Sequence, residues 1–242
     1  MAHDPVVLSL GDSLLRSSDL SLLRQPGSWL NDSLLGFYLE YLSSRPERND
    51  SILYLSPEVS HFLKLTGSPE EVALFLEPLQ SSRKEVIFLP VNNAEDPSRP
   101  GGTHWSSLIY SKQAGGAFFH LDSLGKANEG HARRTAERIH EFLKEKRREG
   151  EGTRILNPLS SSSSSMSPPN KHPFSFTNVP VLKQSNGHDC GTHVLCHAQH
   201  SLDHFYLYGS YEGLHPLQES VVKNKRKELL SIIEELMMMH SV

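Results

Sequence analysis

The sequence predicts an α+β fold, because helical patterns come first along the chain, strand patterns follow close together, and helical patterns return at the end. The 242 residues are enough to build one sizeable hydrophobic core, so we expect a single domain over 1–242. Hydrophobic residues make up 37% and charged residues 21% of the chain, which is an ordinary balance for a globular protein.

The N-terminal part of the chain predicts one short strand and two helices. The strand is expected at 6–9, and Asp19 is placed to cap a turn of helix after it. Beyond the break at 26–28, apolar residues recur at the i, i+3, i+4, i+7 and i+8 positions of an amphipathic helix. Asn31 or Asp32 is a natural cap for that helix.

The middle of the chain predicts two more helices, three strands and a surface helix. Ser56 and Ser68 are each followed by proline, which is typical of the first position of a helix. An apolar, β-branched run at 85–92 predicts a buried strand, and the Pro-, Gly- and Asp-containing loop at 93–103 predicts a mobile lid. The other predicted elements here are strands at 105–110 and 117–121 around a turn at 112–116, and a helix at 131–148.

The composition changes at about 150–173, where six consecutive serines precede two prolines. A segment of this kind cannot bury enough apolar surface to offset its ordering entropy, so we expect a disordered insertion within the domain. The elements predicted after it are a strand at 176–182, a helix at 190–208 and a C-terminal helix at 217–239. The basic run at 223–227 in the last helix is expected to be a solvated face.

Charge and composition exclude several classes of function. A net charge of −4 gives no basic surface for nucleic acid, and no apolar run is long enough to span a bilayer. The N-terminus lacks the basic and apolar regions of a secretory signal. Cys190 and Cys196 lie six apart on one predicted helix and face different ways, so we expect no disulfide. An intracellular location, cytoplasmic or nuclear, fits these free thiols.

Four residues along the chain could form a nucleophilic site. Cys190 begins a predicted helix, where free backbone N–H groups and the helix dipole favour a thiolate. His104 starts one predicted strand and Asp122 ends the next, and these ends meet in an antiparallel pair. With Gln184, the set could supply a base, its orienting carboxylate, an oxyanion donor and a nucleophile.

The predicted helix after Cys190 also carries a stripe of histidines, spaced i, i+4, i+7 and i+11. Histidines at i and i+4 can share a zinc ion, whereas a polar helix face is the simpler interpretation. Because an apolar stripe lies opposite, we expect the histidine face to point away from the core. The histidines are His193, His197, His200 and His204.

Several segments together resemble the ubiquitin-like-protein-specific cysteine proteases, the sentrin-specific/Ulp family, and within it the deneddylase branch that cleaves the Nedd8-type modifier. The resemblance covers nearly all of the chain except the serine-rich insertion. Its most specific segments are 28–32 (Ser-Trp-Leu-Asn-Asp), 75–79 (Phe-Leu-Glu-Pro-Leu), 101–105 (Gly-Gly-Thr-His-Trp), 118–123 (Phe-Phe-His-Leu-Asp-Ser) and 184–191, in which the Gln lies six residues before the Cys.

The resemblance implies a papain-like fold, with a central mixed sheet flanked by helices, and a thiol protease that acts after the Gly-Gly tail of a modifier. It assigns His104 as base, Asp122 as its orienter, Gln184 as an oxyanion donor and Cys190 as nucleophile. The same resemblance implies that the modifier and its conjugates are the partners of a monomeric enzyme that needs no metal or organic cofactor.

Three further residues are implied to bind the substrate. By resemblance, Trp29 and Trp105 enclose the Gly-Gly tail, and Asp32 faces a basic residue of the modifier.

The residues leave other functions open. Asn-Gly at 186–187 is closer to the sentrin-cleaving branch of the family, so a sentrin-type (SUMO) protease is one alternative. An acyltransferase could use the same histidine, acid and cysteine with an acceptor other than water. A modifier-binding protein without activity is a third alternative, against which the intact set of four polar residues counts.

Overall fold

Helices cover both faces of a central sheet in the computed structural model, which describes residues 3–46, 50–96, 101–155, 173–208 and 215–240. The strands within these ranges are β1 (Val6–Leu10), β2 (Ser13–Arg16), β3 (Ile52–Tyr54), β4 (Val86–Asn92), β5 (Trp105–Ser111), β6 (Ala117–Leu121) and β7 (Phe176–Val179). The α-helices are α1 (Ser17–Arg24), α2 (Asp32–Ser44), α3 (Pro57–Leu65), α4 (Pro69–Leu76), α5 (Glu129–Ile155), α6 (Cys190–Tyr208) and α7 (Glu219–His240).

The main sheet of the described chain has the order β3-β4-β5-β6-β7. Its outer pairs, β3 with β4 and β6 with β7, are parallel, while β4, β5 and β6 run antiparallel. The sheet is therefore mixed, as expected. β1 and β2 form a separate antiparallel hairpin.

Two apolar clusters lie on opposite faces of the sheet. One packs α1, α2, α6 and α7 against the sheet, and the other packs α3, α4 and α5. All seven residues of β4 are buried, which explains why its sequence is continuously apolar rather than alternating. This arrangement holds α6 between the sheet and two other helices, with α2 and α7 as its neighbours.

Local sequence signals place several helix starts correctly. Asn31 caps α2 by accepting a hydrogen bond from the backbone N–H of Leu34 at 3.1 Å. Ser56 and Ser68 cap α3 and α4 in the same way, each with proline just inside the helix.

Two boundaries differ from the prediction, and two strands were not predicted. The strand at 176–182 ends at Val179, and the hairpin strand β2 and the short β3 were not expected. Helix α5 continues to Ile155, into the first part of the predicted insertion, because Glu and Arg are good helix formers and outweigh the glycines there. The rest of the predicted insertion, 156–172, lies outside the described residues, as do 97–100 of the predicted lid.

Within the described ranges, no helix combines the length and the apolar character that crossing a membrane requires.

Candidate active site

His104 and Asp122 meet at the same edge of the sheet. His104 immediately precedes β5 and Asp122 immediately follows β6, and the two strands pair antiparallel with Ser107 opposite Leu121. The Nε2 atom of His104 lies 2.6 Å from Oδ1 of Asp122. Their side chains are only 4% and 0% exposed, so solvent does not weaken this contact.

Asp122 is held in place by the backbone that follows it. Its Oδ1 accepts a hydrogen bond from the N–H of Leu124 at 2.8 Å, and its Oδ2 accepts one from the N–H of Asn128 at 2.9 Å. Burial alone would raise the pKa of Asp122, but the hydrogen bond with His104 and these two N–H groups outweigh it and lower the pKa to about 2. The carboxylate therefore stays ionised at neutral pH.

The imidazole of His104 faces two partners. Burial lowers its pKa, but interactions with Asp122 and then with Cys190 act in the opposite direction and raise the pKa to about 9. Its Nε2 is engaged with Asp122, whereas its buried Nδ1 has no hydrogen-bond partner within the described part of the chain. Nδ1 is therefore the nitrogen left to exchange a proton.

Cys190 is the first residue of α6, and its own surroundings explain how the helix can begin there. Asn186 accepts hydrogen bonds at Oδ1 from the N–H groups of His188 and Asp189, both at 3.0 Å, which fixes the turn before the helix. A Cβ on Gly191 would lie 2.9 Å from Cβ of Leu30, closer than real contacts allow. Glycine thus lets the start of α6 approach the loop that carries Trp29.

Gln184 lies beside the same edge of the sheet. Ser123, next to Asp122, donates from Oγ to Oε1 of Gln184 at 2.6 Å and accepts at its carbonyl from the Gln184 N–H at 3.1 Å. The Nε2 of Gln184 donates to the carbonyl of Asn186 at 2.6 Å. Since an amide NH₂ has two hydrogens, one donor remains for another acceptor.

The two tryptophans line a cavity of about 920 Å³. Trp29 is 48% exposed, while Trp105 packs partly against the core. Asp32 lines the same cavity, together with Gly101 and Gly102 from the loop before His104. The structure thus brings the residues predicted to bind a substrate tail to one cavity.

The prediction that the histidine stripe of α6 faces solvent is wrong for three of its members, because His193, His197 and His204 are buried and His200 alone of the four is half-buried. His193 and His197 are each 2% exposed, and residues 190–198 are buried on every side because α6 lies between the sheet, α2 and α7. Burial lowers the pKa of His197 to about 3. Among the described residues, no group of three or more His, Cys, Asp or Glu side chains is arranged to hold a metal ion.

The prediction of a solvated basic face at 223–227 is also wrong in part. Lys225 is 1% exposed and donates to Tyr38 at 3.1 Å and to Gln199 at 2.6 Å, and Arg226 is half-buried. α7 packs against α1 and α6, which turns these two side chains inward.

The sequence analysis did not predict a role for Ser123 in the site, although its position directly after Asp122 was the available signal.

A helix-start cysteine beside a histidine–carboxylate pair, on an α+β fold with this mixed sheet, defines the class of papain-like cysteine proteases. A sequence model of the Ulp1 protease family, C-terminal catalytic domain, matches residues 28–238. The chain belongs to this family, and the predicted resemblance is confirmed.

Individual relatives match over nearly the whole chain. Sentrin-specific protease 8 of Homo sapiens is 37% identical over 235 residues, which cover 96% of this chain and 98% of that protein. NEDD8-specific protease 1 of Arabidopsis thaliana is 28% identical over 244 residues, covering 98% and 96%. A solved structure of the C-terminal Ulp1 protease domain in complex with Smt3, the yeast ortholog of SUMO, has a TM-score of 0.65 at 16% identity and covers 98% of this chain and 90% of that one. This last likeness concerns the fold, and the predicted α+β class is confirmed.

Proposed function

We propose that this chain is a thiol protease that cleaves after the C-terminal Gly-Gly of a Nedd8-type modifier, both in the modifier's precursor and in its lysine conjugates. The observation that carries the proposal is the contact between His104 and Asp122 at 2.6 Å beside the helix-start Cys190. The aromatic cavity next to this contact supplies a place for the tail.

The four polar residues take separate roles in this reaction. His104 exchanges the proton of Cys190, and ionised Asp122 orients the imidazole and stabilises its protonated form. The free hydrogen on Nε2 of Gln184 and the backbone N–H of Cys190 donate to the oxyanion. Ser123 fixes the Gln184 amide by holding its oxygen.

The reaction proceeds in two displacements. The thiolate of Cys190 attacks the carbonyl carbon of the terminal glycine, and the amine leaves with a proton given by His104. Water then gives a proton back to His104, attacks the thioester carbon and expels the thiolate, which regenerates the free enzyme. The products are the modifier carboxylate and the amine, either a lysine side chain or a short peptide.

The two tryptophans of the cavity support a requirement for glycine. Trp29 comes from the loop before α2, and Trp105 is the first residue of β5, directly after His104. A narrow space between aromatic rings admits a backbone without Cβ atoms and rejects residues that have them. We therefore assign these rings to the Gly-Gly tail.

The charge of the cavity favours a basic residue ahead of the glycines. Asp32, Glu58 and Glu71 line it, and no lysine or arginine of the described chain is among its lining residues. A cationic side chain on the modifier tail would thus find three carboxylates in this lining and no lysine or arginine among its described residues. Asp32, in the first turn of α2, is our candidate for this contact.

The choice of modifier rests on the relatives. A protein named NEDD8-specific protease matches this chain almost from end to end. The human relative carries the name of a sentrin-specific protease, so the sentrin-type modifier is the competing substrate.

The decisive test is covalent labelling with full-length modifiers that carry a thiol-reactive group at the C-terminus. The Nedd8-type, sentrin-type and ubiquitin probes are compared on wild type, Cys190→Ala and Cys196→Ala. We expect an adduct with the Nedd8-type probe on wild type and Cys196→Ala, and none on Cys190→Ala. We also expect Cys190→Ala to bind the unmodified modifier with unchanged affinity while turnover is lost.

Each other result changes the assignment. Adducts with the sentrin-type probe alone would keep the chemistry and replace the substrate. Adducts on Cys190→Ala would overturn the nucleophile, and no adduct with any probe would favour an acyltransferase or an inactive binding protein.

A further inference from the structure

Arg226, on the C-terminal helix α7, contacts the two residues that immediately precede Trp29 and Cys190. Its side chain is 15% exposed, although the lysine three residues before it is 69% exposed. The guanidinium donates from Nη2 to the carbonyl of Ser28 and from Nη1 to the carbonyl of Leu22 at 3.4 Å. Its Nε lies 3.6 Å from Oδ1 of Asp189.

These contacts join two walls of the site. Ser28 immediately precedes Trp29, which lines the tail cavity, and Asp189 immediately precedes the nucleophile Cys190. Asp189 also accepts at its carbonyl the N–H of His193 at 2.9 Å, which closes the first turn of α6. One side chain thus connects the tryptophan loop with the start of the nucleophile helix.

The guanidinium also contributes charge to the site. Burial lowers the pKa of Arg226, while Asp189 and Cys190 act in the opposite direction. An arginine side chain remains protonated at any physiological pH. It therefore keeps a permanent cation 3.6 Å from Asp189, the residue that immediately precedes Cys190, and the Asp189 carboxylate offsets part of that charge.

Other charged or titratable groups surround the nucleophile and must be separated from this effect. His104 comes from the start of β5, and His188 and Asp189 come from the turn before α6. His193 lies one turn along α6. These described groups come from the start of β5, the turn before α6 and α6 itself, whereas Arg226 comes from α7.

We propose that Arg226 is a positioning residue for the cleavage reaction: it holds the Trp29 loop against the turn before Cys190, and its cation favours the thiolate. The proposal rests on the proposed function for its effect on turnover, but the effect on the thiol is independent of the substrate. A purely structural residue would change neither the thiol's pH profile nor the ratio of kcat to KM.

The test uses Arg226→Gln, which removes the charge, and Arg226→Lys, which keeps it but loses the planar fork. Lys223→Gln is the matched control, since Lys223 lies on the same helix and pairs with Glu219 on the outside. All variants are made in a Cys196→Ala background, so that Cys190 is the remaining thiol. The rate of alkylation by iodoacetamide is measured from acid to alkaline pH, and kcat and KM are measured on a modifier with a C-terminal extension.

We expect Arg226→Gln to move the alkylation midpoint up by about half a pH unit to one unit, because a nearby cation is lost. We expect kcat to fall roughly tenfold from misalignment of the two walls. Arg226→Lys should restore the alkylation profile but only part of kcat. Lys223→Gln should match the parent in both measurements.

An alkylation profile and a kcat within twofold of the parent for Arg226→Gln would overturn the proposal. If Arg226→Gln does not fold, Arg226→Lys decides: a lowered kcat with the parent alkylation profile supports the proposal, and an unchanged kcat contradicts it. Failure of the proposed function has a different signature, because the profile would still shift while no modifier is cleaved by the parent.

Discussion

The two cysteines of α6 lie only six residues apart on the same helix, but the groups that surround their thiols differ. Cys190 and Cys196 are 3% and 1% exposed, so accessibility barely separates them. Cys190 starts the helix beside His104 and Arg226, whereas burial raises the pKa of Cys196 to about 12, an effect that Lys225 only partly opposes.

Both thiols are buried, so the difference supports the proposal that neighbouring groups decide which buried cysteine can form a thiolate. At the first position of the helix, free N–H groups and two basic side chains favour a negative sulfur. One and two-thirds turns later, the backbone is fully hydrogen-bonded and the thiol packs as a small apolar group with Leu217 and Val222. The predictions below change one side of this comparison at a time.

The largest effect is expected from Asp122→Asn, which weakens the stabilisation of a protonated His104 beside a Cys190 thiolate. An amide cannot stabilise the protonated ring of His104, and its NH₂ group would compete for Nε2. We expect kcat/KM for a modifier fusion to fall by about 10³-fold or more. Circular dichroism should show a folded protein, and a loss of less than tenfold would exclude Asp122 from the catalytic set.

The reactive side of this comparison could be predicted from sequence because its signals are local. His104 and Asp122 flank two strands joined by a short turn, and an antiparallel pair brings those ends together. Cys190 follows a turn that Asn186 organises, which marks a helix start. The Ser-Pro pairs at 56–57 and 68–69 place two helices for the same reason.

The long-range contacts of α6 and α7 around both cysteines could not be predicted, because they join distant parts of the chain. Lys225 meets Tyr38 across 187 positions, and Arg226 meets Ser28 across 198. His193 and His197 have polar side chains at helical spacing, which indicates a surface until the packing of α2, α7 and the sheet is known. A pattern within one helix cannot reveal which other helices cover it.

The second prediction concerns Lys225, the buried cation that partly opposes the raised pKa of Cys196. Its ammonium group donates to Tyr38, Gln199 and, at 2.8 Å, Glu228. Lys225→Ala leaves these acceptors without their buried partner, and we expect it to lower the free energy of unfolding by about 3 kcal/mol. Urea denaturation measures the loss, with exposed Lys223→Ala as the control, for which a change under about 0.5 kcal/mol is expected. Equal losses in the two variants would show that Lys225 is not structural.

The third prediction uses pH to act on His197, the buried histidine that follows Cys196 and contacts Ser107 of β5. The unfolded chain binds a proton at His197 as pH falls through about 6.5, but the folded protein resists protonation down to about 3. The stability present above pH 6.5 is therefore lost on acidification between these values. Between pH 7 and pH 5 we expect His197→Gln to lose about 2 kcal/mol less than wild type in urea denaturation. Identical losses would assign the acid sensitivity to other groups.

The smallest effect is expected when the unreactive cysteine itself is removed. Cys196→Ala takes one sulfur atom out of a well-packed position, and the neighbours close part of the space, so we expect a loss of about 1 kcal/mol of stability. Its kcat/KM on the modifier fusion should remain within twofold of wild type, because no described catalytic group contacts this thiol. Cys190→Ala has the opposite profile, with turnover lost and stability nearly unchanged. A large fall in turnover for Cys196→Ala would mean that the two cysteine positions are coupled, and the comparison between them would no longer separate packing from chemistry.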